Sequence, residues 1–376
     1  MLYYLGYYNC EKIEEEKRMA APPAINKMGY IISVLSEIPN IKTVVVSPSE
    51  TSLLHYVKGG MHELSDCVSL KVFDSFRSNN KIIRGFGHVW TKVQLFRFLM
   101  KNVTSDDTVI VYHSLSLMNV VRKLKKKKKC NLIIEVEELY SDVKEDQVLR
   151  KKEIEYLQIA DKYIIITELL NKQVNHQNKQ KIISHGTYRT NPEYSKKFDD
   201  GKIHVVYAGT FNPVKGGALS AVEVAQYLDD KFVLHILGKG NESDTKTVLK
   251  KIEQVSTRSK CNIVYEGYKT GKEFNSLIQS CHIGLSTQQP NGRYNASSFP
   301  SKILMYMSNG LPVVSIRIPA IETSKVDDLV CYYNDSIPQS IAEAIKSVPI
   351  DKVFAVRKRL DDLNEEFISD LSRLLN

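Results

Sequence analysis

A chain of 376 residues exceeds the size at which one hydrophobic core keeps growing, so two domains of similar size are expected. Hydrophobic residues at 43% and charged residues at 25% are ordinary for a globular protein and exclude a disordered chain. The net charge of +9 is unevenly placed, because Arg122–Lys129 puts seven cations into eight positions.

Short apolar runs rich in Val, Ile and Tyr alternate with helical patterns, which predicts a parallel sheet with helices on both faces. The apolar start, Leu2–Leu5, has no basic region before it and an acidic and basic run after it, and so reads as a first strand and not as a signal peptide. Further strands are expected at Thr43–Ser47, Thr108–Tyr112, Leu132–Val136 and Tyr163–Thr167. Helices are expected at Ala24–Leu35 and Ser116–Leu124, with a loop and a helix across Ser75–Phe98.

The cations of Arg122–Lys129 follow the second of these helices. Cations suit a helix C-terminus, and they would equally form an electrostatic foot on anionic lipid; both readings stand. Nucleic acid is not indicated, since no binding motif or aromatic interleaving accompanies the lysines.

The polar stretch Asn191–Gly201, carrying Pro and Gly, marks a linker. The pattern then restarts with strands at Ile203–Tyr207, Phe232–Leu237, Asn262–Tyr265, His282–Leu285, Leu311–Ser315 and Leu329–Tyr332. The helices between and after them are Gly217–Leu228, Asp244–Gln254, Lys272–Ser280, Ser301–Ser308 and Ser336–Lys346. A charged amphipathic helix over Asp351–Leu375 closes the chain, with an apolar stripe at Val353, Val356, Leu360, Leu363, Phe367 and Leu371. The expected organisation is an α/β chain of two Rossmann-like, doubly wound domains facing a cleft. They span residues 1–187 and 202–350, joined by a linker at 188–201, and residues 351–376 return to the first domain. No apolar run approaches the roughly 20 residues that span a bilayer. The six cysteines, Cys10, Cys67, Cys130, Cys261, Cys281 and Cys331, show no CxxC pair or metal-ligand spacing and are expected to be reduced thiols of a cytoplasmic protein.

Two segments carry phosphate-binding chemistry. Tyr207–Gly217, YAGTFNPVKGG, runs from strand to loop to helix, where glycines admit an anion to backbone amides and Lys215 adds a mobile charge. Asn295–Lys302, NASSFPSK, places serine hydroxyls and Pro300 at a helix start, with Lys302 beside it. Each segment also fits a plain turn or a capped helix with nothing bound; together they favour a diphosphate. In the first half, Glu135, Glu137 and Glu138 cluster after a strand and would orient acceptor hydroxyls, or point in part to solvent. His113, after a strand, is either a satisfied strand-end histidine or a catalytic one, His185 at the hinge has the same two readings, and Asn26 and Lys27 either cap the first helix or stand in a plain turn.

The strings VYAGTFNPVKGG, LHILGKG, IVYEGY, CHIGLST and SSFPSKILMYMSNGLPVVS, in this order, resemble the donor-binding half of glycosyltransferase family 4. Weaker echoes, VYHSLS, LIIEVEELYSDV, YIIITELL and IISHG, lie in the first half. The likeness is nearest to transferases that build capsular and other surface polysaccharides. It implies the GT-B fold, retention of anomeric configuration, no cofactor or essential metal, a nucleoside diphosphate sugar donor with UDP favoured, and a saccharide or lipid-linked saccharide acceptor. By this resemblance Gly209, Thr210, Lys215, Gly216, Gly238, Ser298, Phe299, Pro300, Ser301, Lys302 and Met305 are expected at the donor. Glu137, Lys215 and Lys302 would carry catalysis, with Asn26, His113 and Glu138 on the acceptor side, and Gly186 would be the hinge. The sequence departs from the family in two respects: no arginine precedes Lys215, and Ser297 and Met305 replace the two glutamates of its E-x7-E pattern. An impaired pseudoenzyme that binds an acceptor or steadies a partner is therefore the rival reading. A nucleotide-sugar epimerase on the same fold is a third, without its histidine and carboxylate pairs.

Overall fold

The computed structural model describes residues 1–144, 146–212, 217–287, 298–350 and 353–376. It divides into two compact units, one of Met1–Thr187 with Glu366–Asn376 and one of Tyr188–Glu365.

The first unit is built on strands β1 (Leu2–Leu5), β2 (Thr43–Ser47), β3 (Tyr56–Val57), β4 (Met61–Ser65), β5 (Val68–Val72), β6 (Ser75–Phe76), β7 (Thr108–Tyr112), β8 (Asn131–Val136), β9 (Lys162–Ile165) and β10 (Lys181–Ile183). Its helices are α1 (Pro22–Glu37), α2 (Lys81–Asn102), α3 (Met118–Lys128), α4 (Tyr140–Lys144), α5 (Gln147–Leu157) and α6 (Glu168–Val174). Eight strands form one sheet in the order β10-β9-β8-β7-β1-β2-β5-β4, parallel except where β4 runs against β5. The unbroken burial of β1 and β2 matches their continuous apolar sequence, the mark of strands covered on both faces.

Two differences from the sequence reading have local causes. The segment 56–76 forms β4, β5 and the small ribbon β3–β6; Met61–Ser65 alternates exposed with half-buried residues and so lacks the apolar run of an inner strand. The strand expected at Tyr163–Thr167 ends at Ile165, because Thr167 turns to cap α6 by accepting a hydrogen bond from Leu170 N at 3.0 Å.

The second unit contains β11 (Ile203–Ala208), α7 (Gly217–Val224), β12 (Phe232–Leu237), α8 (Glu242–Ser256), β13 (Asn262–Gly267), α9 (Gly271–Ser280), β14 (Ile283–Ser286), α10 (Ser301–Ser308), β15 (Val313–Ile316), α11 (Pro319–Glu322), β16 (Val330–Tyr333) and α12 (Pro338–Lys346). Its sheet runs β13-β12-β11-β14-β15-β16, parallel throughout. In both sheets the strand order reverses beside the first strand, between β1 and β7 and between β11 and β14. Such switch points, at the carboxyl ends of strands, are where open parallel sheets bind ligands.

The stretch 188–201, read as a linker, is tied into the second unit. Asn191 N donates to Ser308 O at 2.8 Å, Tyr194 N to Gln279 Oε1 at 2.7 Å and Phe198 N to Ser280 O at 2.9 Å. The last helix, α13 (Val353–Leu375), buries Val356, Leu360 and Leu363 and continues into the first unit, where Phe367, Leu371 and Leu374 are buried.

Candidate functional site

Three strand ends of the second unit, knitted by backbone, line one cavity. Gly209 N donates to Leu237 O at 3.0 Å, Phe211 N to Lys239 O at 3.0 Å, and Gly238 N to Gly267 O at 2.8 Å. The cavity measures about 500 Å³ and is bounded by Gly209 and Thr210 after β11, Gly238 and Lys239 after β12, and Tyr268 and Lys269 after β13. Only glycine fits at 238, where φ is +142° and a Cβ would stand 1.9 Å from Gly209 O. The Lys239 ammonium lies 3.8 Å over the ring of Tyr268, which brings a cation and an aromatic face to the same wall.

Lys302 reaches this place from α10. Its ammonium sits 3.9 Å over the Tyr207 ring, and a Cβ on Gly209 would stand 2.5 Å from Nζ. The residue that holds α10 there is Tyr306, one turn further along the same face. Its buried hydroxyl accepts from Ala208 N at 2.8 Å and donates to Leu285 O at 3.1 Å, tying the helix to the ends of β11 and β14. Burial pushes that phenol far above its ordinary pKa, so it remains a neutral donor. Neither Tyr207 nor Tyr306 was singled out from sequence as a support; the available signal was the four-residue spacing of Lys302 and Tyr306. Thr287, after β14, donates to Gly217 O at 2.6 Å and fixes the first residue of α7.

Lys215, Gly216, Ser297 and Gln288–Tyr294 lie outside the described residues. Phe299 is buried, and Ser298 and Pro300 are half-buried ahead of α10. The expected hydroxyl caps are not formed: the N-cap is Pro300, which has no side-chain acceptor to offer, and Ser301 is the first, exposed helical residue. Met305 is half-buried on α10, and its carbonyl accepts from Ser308 Oγ and Asn309 Nδ2, each at 2.9 Å.

A second polar cluster stands at the carboxyl edge of the first unit's sheet. Lys27 of α1 is buried, donating to Ser184 O at 3.1 Å, Ser184 Oγ at 2.9 Å and Gly186 O at 3.1 Å, with Glu137 Oε1 at 3.4 Å. It is therefore neither a cap nor a turn residue. Asn26, beside it, is exposed in the second turn of a helix that begins at Pro22 after Ala21, so the capping role expected for it is not met. Glu137 and Glu138 are half-buried just beyond β8, whereas Glu135 within β8 is fully enclosed and accepts a short hydrogen bond from Tyr4. Burial, reinforced by Glu137 and opposed by Lys27, raises the Glu135 pKa from an ordinary 4.5 to about 8.

His113 is a structural histidine and not a group facing an acceptor. It is buried with Nε2 2.7 Å from Glu153 Oε1 and its ring between Tyr140 and Tyr156. Burial alone would raise the Glu153 carboxyl, but the bonds from His113 and Ser141 outweigh it and hold that carboxyl below its ordinary value. His185 is likewise buried, Nδ1 lying 2.8 Å from Ile166 O. In the basic run, Lys125 pairs with Asp161 and Arg122 donates to Lys152 O at 3.1 Å, leaving Lys123, Lys126, Lys127 and Lys129 exposed at the end of α3.

Residues 202–349 match the family described as Glycosyl transferases group 1, the span that holds the cavity and Lys302. No curated protein matches the chain by sequence. Solved structures do match. A structure described as trehalose-6-phosphate from E. coli bound with UDP-2-fluoro glucose superposes with a TM-score of 0.65 at 10% identity, covering 99% of this chain and 98% of that one. An α,α-trehalose 6-phosphate synthase from Burkholderia multivorans gives a TM-score of 0.65 at 11% identity over 99% and 96% of the two chains. Sucrose-phosphate synthase from Thermosynechococcus elongatus gives 0.70 at 12% over 99% and 97%. The fold is GT-B. In GT-B terms the cavity at the ends of β11, β12 and β13 belongs to the carboxy-terminal Rossmann-like unit, and the Lys27–Glu137 cluster to the amino-terminal one. Among the described residues, no helix is long and apolar enough to cross a membrane.

Proposed function

We propose that the protein is a retaining glycosyltransferase that moves a sugar from a nucleoside diphosphate sugar, UDP-linked by preference, to an acceptor hydroxyl. The observation that carries this reading is the ammonium of Lys302 set against Gly209, a residue that lines a cavity within the matched span. A departing diphosphate gathers negative charge, and a fixed cation with glycine-opened amides at the end of β11 stabilises that charge as it develops. In this reading Lys215 adds a second cation, no metal is needed, and Tyr268 and Lys239 border the far end of the donor. Glu137, paired with Lys27, orients the acceptor hydroxyl on the first unit, with Glu138 beside it.

The acceptor is a saccharide or lipid-linked saccharide of surface polysaccharide assembly on the cytoplasmic face of the membrane. Two things support this: the sequence strings that resemble capsular transferases, and the exposed lysines at the end of α3, which suit an anionic lipid surface.

Titration calorimetry against UDP-, GDP- and TDP-sugars, followed by NMR of the product anomer, tests the reading. Saturable heat with one donor and a retained configuration are expected. A chain giving no saturable heat with any donor would be an acceptor-binding or partner-stabilising subunit. Met305 favours that second reading, because a thioether cannot accept ribose hydrogen bonds as a carboxylate does. Met305→Glu should tighten nucleotide binding if that contact is the one lost.

A further inference from the structure

We infer that the first half of α2 is an insertion face that seats in the headgroup and acyl boundary of an anionic phospholipid bilayer. This deepens the lipid contact proposed for Arg122–Lys129 and rests on that reading for the sign of the surface.

α2 is apolar on two faces. Gly87, Thr91, Leu95 and Leu99 form its buried stripe. Outside that stripe Ile82, Ile83, Phe86, Val89 and Trp90 are between 44% and 71% exposed. At about 100° per residue these five fall within an arc of roughly 120°, a continuous outer apolar stripe and not scattered contacts.

Charge decides what covers it. Residues 75–102 contain no Asp or Glu but carry Arg77, Lys81, Arg84, Lys92, Arg97 and Lys101. Among the described residues, Glu50 meets the exposed part of the helix, 2.7 Å from His88. A second copy seated on the same face would bring this cationic stretch against itself. An anionic lipid surface complements it, and a cationic helix with an exposed apolar stripe lies in the interface plane of such a surface. Trp90 suits the headgroup level, where an indole has one apolar and one wet side. α3 packs alongside α2 and carries its own exposed lysines, Lys123, Lys126, Lys127 and Lys129.

Trp90 is the only tryptophan in the chain, so the intact protein carries its own reporter. With vesicles of equimolar phosphatidylcholine and phosphatidylglycerol, the emission of Trp90 should shift to the blue and be quenched by lipids brominated along the acyl chain. Phosphatidylcholine alone should produce neither change. Ile82→Ser with Phe86→Ser, both at exposed positions, should lower vesicle partitioning by about tenfold or more while leaving the melting temperature in place. Flotation that salt abolishes, with no change in Trp90 emission, would overturn insertion and keep the α3 contact. Absence of flotation would overturn both. A blue shift without lipid that grows with protein concentration would assign the stripe to self-association and overturn the lipid assignment.

Discussion

A Cβ placed on Gly209 would stand 2.5 Å from the ammonium of Lys302, so the loop after β11 and the start of α10 share one small volume. Gly209 does not adopt a left-handed backbone, and its new neighbour is the end of a flexible side chain. Gly209→Ala should therefore fold normally and push the ammonium from its place over Tyr207. Its melting temperature should stay near that of the wild type, while nucleotide affinity falls. Lys302→Ala should cost about 1.5–3 kcal/mol of UDP binding, the range for a hydrogen bond to a charged group, or roughly ten- to a hundredfold in Kd. Calorimetry with UDP measures both; unchanged affinity in both variants would overturn the proposed placement of Lys302 at a diphosphate.

Tyr306 sets the position of α10 independently of any ligand. A Cβ on Gly284 would meet its ring at 2.3 Å, so the helix lies close over β14 because residue 284 has no side chain. Tyr306→Phe keeps the packing but leaves the buried Ala208 N–H without its acceptor and Leu285 O without that donor. Leaving a buried group unpaired costs about 1–3 kcal/mol. The urea midpoint of Tyr306→Phe should fall accordingly, and Gly284→Ala should fall further because ring and backbone cannot both stay in place. A midpoint unaltered in Tyr306→Phe would mean that these bonds do not hold the helix.

The parallel sheets were legible in the sequence because doubly covered strands are unbroken apolar runs: Thr43–Ser47, Thr108–Tyr112 and Phe232–Leu237 were predicted residue for residue. The ribbon and edge strands over 56–76 were not, since a half-exposed edge has no such run. At the candidate site, Gly209 and Lys302 come from a strand-ending turn and a helix start and Gly238 from the family resemblance; the structure sets Lys302 against Gly209 and lines one cavity with the two glycines. Lys27 was named but read as a cap or turn residue, because a single lysine in a helix normally faces water and only the fold brings Ser184, Gly186 and Glu137 around it. His113 and Glu153 are 40 residues apart, beyond any local pattern. Glu135, Glu137 and Glu138 looked alike in sequence; being within β8 and not after it is what encloses Glu135.

The enclosed Glu135 makes stability depend on pH in a stated direction. Its pKa is raised from 4.5 to about 8 in the folded protein, chiefly by burial. Between those values the unfolded chain releases the proton that the folded one retains, so the contribution is fully present below pH 4.5 and is lost as pH rises through about 8. Glu135→Gln keeps an acceptor for Tyr4 but cannot ionise. The melting temperature of the wild type should fall relative to this variant as pH climbs across the window. A difference between the two that stays constant with pH would show that Glu135 titrates normally.

Phe367 tests how the end of the chain contributes to the first unit. It is buried and stacks on Tyr30 of α1, ring centroids 5.3 Å apart at 24°. Replacing it with alanine removes a full aromatic side chain from a packed position, a change that costs about 3–5 kcal/mol when the site cannot collapse. α1 also carries Lys27, so the loss should reach the polar cluster at the sheet edge and not only the melting temperature. Phe367→Ala should lower the urea midpoint strongly and speed hydrogen exchange of the α1 amides, while Phe367→Leu, which refills most of the volume, should recover much of both. Should Phe367→Ala unfold at the wild-type midpoint, the last turns of α13 would be a surface appendage and not a part of the first unit's core.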